Sequence, residues 1–238
     1  MSGLPKVDPE VRLLCLPFAG GGASTYAPWL RSPSTRLEVL PVQLPGREHR
    51  ISELPYCHME PLIEALMGSL IEHLPGRIAL FGHSMGAIIA TELARCMCEL
   101  GRSPARLFVS GATAPHTERT YAPLHELSAA DLVKKLQRLN GLSPEVVASP
   151  ELLELFIPLL YADLELAETG SYTRPMLECP ITVFTATDDP IVDEPGLAAW
   201  AEVTSASCTF HRRPGDHFFI LSMMPWLLEQ IARELGVQ

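Results

Sequence analysis

Short apolar segments alternate with helical patterns along most of the chain, and this alternation constrains the fold more than any other feature. The apolar segments have the Leu, Val, Ile and Phe content of strands covered on both faces. They span 11–17, 37–44, 78–82, 107–111, 181–185 and 208–212. Helical patterns lie between them at 61–74, 85–100, 197–203 and 225–235. We therefore predict one α/β domain over 1–238, with a mostly parallel sheet and helices on both faces.

One long segment, from about 115 to 178, interrupts this alternation because it contains no strand pattern. Ser128 and Asp131 have the spacing of a capping box, which begins a helix. Gly141 is placed to end that helix about three turns later. The segment is predicted to be a helical lid inserted between two strands.

A second helix of the lid begins at Ser149-Pro150, where serine caps the helix and proline takes its first turn. Between Leu152 and Leu166 this helix is apolar on nearly every side. Such a helix is expected to be buried on two sides. One side faces the sheet, and the other either covers an apolar cleft or packs against another lid helix.

The charge balance and the cysteines exclude several classes of protein. Eighteen basic and 28 acidic residues give a net charge of −10, which argues against a nucleic-acid partner. No apolar run reaches the roughly 18 residues of a membrane-spanning helix, and the first ten residues do not form a signal peptide. The six cysteines show no C-x-x-C or metal-ligand spacing, so we expect reduced thiols, no metal site and a cytoplasmic protein.

Gly82-His83-Ser84-Met85-Gly86 follows a predicted strand and opens a predicted helix. This is the G-x-S-x-G pattern of a nucleophile elbow, a sharp turn that exposes the serine hydroxyl above the sheet edge. The strand and the helix approach so closely that the flanking positions exclude a side chain. Ser84 is therefore the candidate nucleophile.

A serine hydroxyl needs a base, because it is a weak nucleophile at neutral pH. In α/β-hydrolases the acid and then the histidine follow the serine along the chain. His217 follows the last predicted strand in a glycine-containing loop, so it is the candidate base, whereas His83 is expected to be structural. Asp188 and Asp189 both follow the preceding strand, and the residues alone leave the acid open between them.

Two backbone N–H groups are expected to bind the oxyanion of the tetrahedral intermediate. Met85, the residue after the nucleophile, supplies one of them. The loop after the first strand, Phe18-Ala19-Gly20, supplies the other, and we assign Ala19 with its two neighbours as alternatives. A phosphate-binding loop is excluded because no Gly-Lys-Ser/Thr sequence follows the glycines.

Over most of its length, from about 13 to 235, the chain resembles the type II thioesterases of polyketide and nonribosomal peptide assembly lines. The matching motifs are Leu16-Pro-Phe-Ala-Gly-Gly, Gln43-Leu-Pro-Gly-Arg, Gly82-His-Ser-Met-Gly, Ala162-Asp, Asp189-Pro and Gly215-Asp-His-Phe-Phe. The resemblance implies an α/β-hydrolase fold and a triad of Ser84, Asp189 and His217. It also implies that a monomer removes acyl groups from the phosphopantetheine arm of a carrier protein without a cofactor of its own.

The chain departs from the pattern of that family at two positions. Tyr161 stands where many members have an arginine in Arg-Ala-Asp, which puts any salt bridge of that arginine in doubt. Asp216 stands where a second glycine is more common. The alternatives to an editing thioesterase are a medium-chain fatty acyl thioesterase, a carboxylesterase of small esters and a non-catalytic binding protein.

The apolar lid predicts a hydrophobic acyl pocket. We assign its walls to Phe18, Phe156, Leu160 and Phe218. Because carrier proteins are usually acidic and this chain is acidic too, long-range attraction cannot drive their docking. A local basic patch remains possible, and its candidates are Arg47, Arg50, Lys134, Lys135 and Arg138.

Overall fold

The strands form one parallel sheet, and each predicted strand segment is present. The computed structural model describes residues 9–31, 34–71, 73–170 and 176–238. The strands are β1 (Val11–Leu16), β2 (Leu37–Pro41), β3 (Arg77–His83), β4 (Leu107–Ser110), β5 (Ile181–Ala186) and β6 (Cys208–Arg213). Their order is β2-β1-β3-β4-β5-β6, and each neighbouring pair is parallel, which confirms the predicted sheet.

Helices follow the strands and fill the lid. They are α1 (Met59–Leu66), α2 (Met85–Glu99), α3 (Ala129–Arg138), α4 (Pro144–Ala148), α5 (Pro150–Thr169), α6 (Glu194–Ala198), α7 (Phe219–Ser222) and α8 (Met224–Leu235). Short 3₁₀ segments span Ala23–Arg31, Glu48–Arg50, Leu124–Glu126 and Ala199–Glu202, and a π-helical turn spans Met67–Ile71. None of the helices in the described ranges is both long and apolar enough to cross a membrane.

The predicted helices are present with shifted bounds. The patterns at 85–100 and 225–235 form α2 and α8. The pattern at 61–74 forms α1 and the π-helical turn, and its residue 72 lies outside the described residues. The pattern at 197–203 falls on α6 and the 3₁₀ turn after it. The sequence patterns did not predict α4, α7 or the 3₁₀ segment Ala23–Arg31.

Alternate residues of β1 to β5 enter two different apolar layers, as the two-residue period of a strand requires. In β1, Leu14 and Leu16 pack in the layer that contains α1 and α2. Leu13 and Cys15 pack in the opposite layer with the apolar face of α8. The sheet is therefore covered by helices on both faces, as predicted, and β3 lies near its middle.

The lid has a small apolar core of its own. Leu132 and Leu136 of α3 pack with Leu160 and Leu164 of α5 and with the Leu124 turn. At the start of α3 the hydroxyl of Ser128 accepts a hydrogen bond from the N–H of Asp131 at 3.2 Å, which confirms the predicted cap. Residues 171–175, at the end of the predicted lid, lie outside the described residues.

Helix α5 was expected to be buried on two sides along its whole length, but only part of it is. Its second half is buried between α3 and α2, since Leu160 packs in the lid core and Leu166 packs in the layer of α2. In the first half, Leu152 is 38% exposed and Leu155 is 54% exposed. The 20-residue helix is about 30 Å long, and the residues that pack in the lid core and in the layer of α2 lie in its second half.

We expect the apolar layer around α8 to contribute strongly to stability. Leu227 is fully buried there, so Leu227→Ala should lower the free energy of unfolding by about 2–5 kcal/mol. Leu221→Ala is the matched control because that leucine is 51% exposed, and its change should stay within about 0.5 kcal/mol. Urea unfolding at neutral pH measures the free energy of unfolding of both variants. An equal decrease in the two would contradict the buried packing of Leu227.

Candidate active site

Ser84 occupies a strained turn between β3 and α2, as the G-x-S-x-G pattern predicts. Its φ of 53° and ψ of −119° lie in a region that residues other than glycine rarely adopt. A Cβ on Gly82 would lie 2.0 Å from the carbonyl oxygen of Gly86. A Cβ on Gly86 would lie 2.3 Å from the carbonyl oxygen of Leu16. The glycines are thus required because three backbone segments touch at this turn.

The structure brings Ser84, His217 and Asp189 into one chain of hydrogen bonds. The Ser84 hydroxyl lies 3.1 Å from Nε2 of His217. The carboxylate Oδ2 of Asp189 lies 2.8 Å from Nδ1 of the same ring. The other Asp189 oxygen accepts the N–H of Ile191 at 2.9 Å, which fixes the carboxylate. This geometry suits removal of the serine proton by a histidine that a buried carboxylate orients.

Asp188 points away from this group. Its side chain is exposed and accepts a hydrogen bond from the Thr187 hydroxyl at 3.0 Å. Asp216, next to His217, accepts a hydrogen bond from the Asn140 amide of the lid at 2.7 Å. Of Asp188, Asp189 and Asp216, Asp189 is thus the one that hydrogen-bonds the ring of His217.

His83, the last residue of β3, is fully buried, and its Nδ1 lies 3.0 Å from the Ser110 hydroxyl. Its ring centroid is 5.1 Å from that of His217. Burial, together with the nearby His217, holds the pKa of His83 well below its usual value. His83 therefore stays neutral when His217 takes up a proton, which avoids two adjacent positive charges.

Met85 and Ala19 both line the cavity beside Ser84. Met85 is the first residue of α2, so its N–H has no carbonyl partner within the helix. Ala19 belongs to the turn after β1, which a hydrogen bond from the Gly21 N–H to the Phe18 carbonyl closes at 2.8 Å. The Gly20 N–H instead donates to Asp163 at 2.8 Å, so the alternative that Gly20 binds the oxyanion is wrong.

The cavity beside Ser84 has largely apolar walls from the sheet edge and the lid. Phe18 and Phe218 form one wall, where their rings meet edge to face with centroids 5.1 Å apart. Leu160 of α5 lines the cavity as expected. Phe156, one turn earlier on α5, is half-buried and is not among the described residues that line it.

Arg47 and Asp163 form a buried ion pair that the sequence did not reveal. Their side chains are only 5% and 2% exposed. Two guanidinium nitrogens of Arg47 donate to the two Asp163 oxygens at 2.7 and 2.8 Å. Burial raises the pKa of the Asp163 carboxyl, and Arg47 opposes that rise. Arg47 was a candidate for a docking surface, and that prediction is wrong because the residue is inside the protein.

Tyr161, at the position where an arginine was expected from the family resemblance, connects two parts of the lid. The Tyr161 hydroxyl donates to the Leu127 carbonyl at 2.7 Å and so ties α5 to the start of α3. Asp163, two residues later, pairs with Arg47. Both motifs were visible in the sequence, but only the fold shows that their side chains meet.

One group of side chains has the composition of a metal site. Ligand atoms of Cys57, His58 and Glu165 lie within 4.8 Å of one another. None of the three lines the cavity at Ser84, and the acyl-transfer geometry described above does not use them. The cysteines, all of which lie in described ranges, are free thiols, as expected.

The serine follows β3, the carboxylate follows β5 and the histidine follows β6 of a parallel sheet. This order is typical of the α/β-hydrolases. Comparison with known proteins narrows this class. The thioesterase domain family matches residues 11–235. The chain therefore belongs to the thioesterase family, and it is a hydrolase of thioesters.

Individual relatives agree with this assignment. The gramicidin S biosynthesis protein GrsT of Aneurinibacillus migulanus is 34% identical and covers 95% of this chain and 89% of its own. The medium-chain S-acyl fatty acid synthase thioesterase of Rattus norvegicus is also 34% identical, covering 90% and 83%. The solved structure of RedJ, a thioesterase from the prodiginine biosynthetic pathway in Streptomyces coelicolor, is 38% identical with a TM-score of 0.88, covering 98% and 95%.

The depressed pKa of His83 predicts a pH effect on stability. Below about pH 6.5 the unfolded chain binds a proton at this histidine that the folded protein does not, so acid lowers the free energy of unfolding. His83→Asn cannot take up that proton, and its amide can still bond Ser110. Between pH 6.5 and 5.5 the original protein should lose about 1 kcal/mol more than the variant. Urea unfolding at each pH measures this change. If the free energy of unfolding fell equally with pH in both proteins, a neutral buried His83 would be contradicted.

Proposed function

We propose that the protein hydrolyses acyl or aminoacyl thioesters on the phosphopantetheine arm of carrier proteins, and so removes aberrant groups from polyketide or nonribosomal peptide assembly lines. The observation that supports it most is the Ser84–His217–Asp189 chain beside an apolar cavity under a helical lid. Relatives named for gramicidin S and prodiginine biosynthesis support the assembly-line setting.

In this proposal the reaction has two steps at Ser84. His217 Nε2 takes the hydroxyl proton as the serine oxygen attacks the thioester carbonyl. The C–S bond breaks, and the leaving thiol receives that proton from His217. Water then attacks the acyl-serine with His217 as base, which releases the carboxylic acid and restores the serine. Asp189 stabilises the imidazolium that forms in each step.

In this proposal the backbone N–H groups of Met85 and Ala19, which line the cavity, stabilise the oxyanion in both steps. One such donor is typically worth about 10²–10³ in turnover. The N-terminus of α2 adds a favourable dipole at the same point. These groups and water complete the chemistry, so the proposal includes no cofactor; the phosphopantetheine belongs to the substrate.

The acyl group would lie against Phe18, Leu160 and Phe218, which line the cavity next to Ser84. Leu136 and Leu164 extend the same apolar surface into the lid core. The proposed acyl contacts do not include Phe156, because it lies outside the lining.

The carrier would dock through a local basic surface on α3, because the net charge of −10 repels an acidic partner at long range. Arg50 is less suited, since it pairs with Glu53 at 2.5 Å. On α3, Arg138 is exposed and Lys135 is half-buried, while Leu136 on the same helix lines the cavity. A carrier bound there would hold its arm close to the cavity. We further propose that the protein acts as a monomer in the cytoplasm, where such carriers are found.

The second candidate is a medium-chain fatty acyl thioesterase, which the apolar cavity and the similarity to the rat enzyme favour. A panel of acyl groups distinguishes the two candidates. It runs from acetyl to medium chain, includes aminoacyl groups, and presents each group both on a carrier protein and on free pantetheine. The editing proposal predicts a higher kcat/KM for carrier-bound short groups, with loss of that preference at high salt. A preference for free medium-chain thioesters would support the alternative. Faster cleavage of matched oxygen esters would identify a carboxylesterase.

Ser84→Ala should fold normally and lower kcat for thioester hydrolysis on the order of 10⁶-fold, because no other group can form the acyl intermediate. A fluorophosphonate probe should label the original protein at Ser84 and leave the variant unlabelled. Activity that survives the substitution would exclude the acyl-serine mechanism.

The two neighbouring aspartates provide a matched comparison. Asp189→Asn should lower kcat by about 10⁴-fold, because the amide no longer holds the correct tautomer of His217. Asp188→Asn should stay within a few-fold of the original protein, since that side chain is exposed and contacts Thr187. Steady-state kinetics measures kcat for both variants. An equal loss of kcat in the two would reject the assignment of Asp189 as the acid.

A further inference from the structure

The lid helix α5 contacts the turn that we assign to oxyanion binding at two points. Oδ2 of Asp163 accepts the N–H of Gly20 at 2.8 Å. One turn earlier, Leu160 lies so near that a Cβ on Gly20 would approach its Cδ2 to 2.8 Å. Gly20 has a φ of +76°, so a side chain there would strain the backbone and would also displace Leu160.

Arg47 holds the same turn from its other side. Its Nη1 donates to the carbonyl of Gly21 at 3.2 Å as well as to Asp163, and its Nε donates to the carbonyl of Pro45 at 3.1 Å. The Ala19–Gly20 and Gly21–Gly22 peptides are thus both bound by one buried ion pair. The Ala19 N–H belongs to the Phe18–Ala19 peptide, which immediately precedes the first of these.

We propose that Asp163 is a positioning residue for acyl transfer: from the lid helix, with Arg47, it fixes the turn that aims the Ala19 N–H at the oxyanion. This inference rests on the acyl-serine mechanism proposed above. It gives the lid a second role, because the helix that forms a wall of the acyl cavity also completes the electrostatic site. Asp163 itself touches no reacting atom.

Substitutions can separate the effect of the two buried charges from the effect of the hydrogen-bond acceptor that Asp163 offers to Gly20. Removing one member of a buried ion pair leaves an unpaired charge and endangers folding, whereas replacing both by apolar residues is often tolerated. Two double variants share Arg47→Met and differ only at the acid. Asp163→Leu removes the acceptor for the Gly20 N–H, and Asp163→Asn keeps an amide oxygen in its place.

We expect the Arg47→Met/Asp163→Leu variant to lose about 10²–10³ in kcat, the effect of one oxyanion donor, with KM within about threefold. The Arg47→Met/Asp163→Asn variant should remain within about tenfold of the original kcat. A trifluoromethyl ketone analogue of the substrate forms a tetrahedral adduct with an oxyanion. Its inhibition constant should rise across the variants by the same factors as kcat/KM falls.

Control proteins separate the possible failures. Replacing the exposed pair Glu229 and Arg233 of α8 by Leu and Met should leave kcat and inhibition unchanged. Equal kcat in the two Arg47→Met double variants, or a fall in kcat without weaker ketone binding, would overturn the positioning role of Asp163. Activity in Ser84→Ala, measured in parallel, would instead overturn the acyl-serine mechanism itself.

Discussion

The close contact of three backbone segments around Ser84 is the constraint on which the rest of the site depends. Gly82 is the next-to-last residue of β3, Gly86 lies in the first turn of α2, and the end of β1 passes against Gly86. The turn follows a strand inside the sheet, and the apolar layers on both faces supply the packing around it. The strained backbone of Ser84 is thus maintained by the core rather than by its own local preferences.

Around that turn, the remaining parts of the site come from loops at the same edge of the sheet. The carboxyl ends of parallel strands meet there, which is why Asp189 after β5 and His217 after β6 reach the serine. The lid contributes more than a cover, because Asp163 binds the turn after β1. The same helix therefore lines the cavity beside Ser84 and binds the turn after β1.

The sequence predicted the features that depend on local patterns. Strand alternation, the turn at Ser84 and the order of serine, acid and histidine all follow from short-range rules. The choice of Asp189 over Asp188 needed either the family resemblance or the fold, because adjacent side chains differ only in direction. The burial of Arg47 and the partly exposed α5 depend on packing between distant segments, for which neither residue type nor periodicity gives a signal.

The central claim is that thioester hydrolysis passes through an acyl group on Ser84. Rapid mixing of the enzyme with excess acyl-pantetheine, followed by acid quench and peptide mass mapping, tests it directly. The account predicts that the acyl group appears on the peptide containing Ser84 within the first turnover, together with one equivalent of free thiol, and that it is then lost to the carboxylic acid. Acid released without acylation of Ser84, or acylation of a different residue, would contradict it.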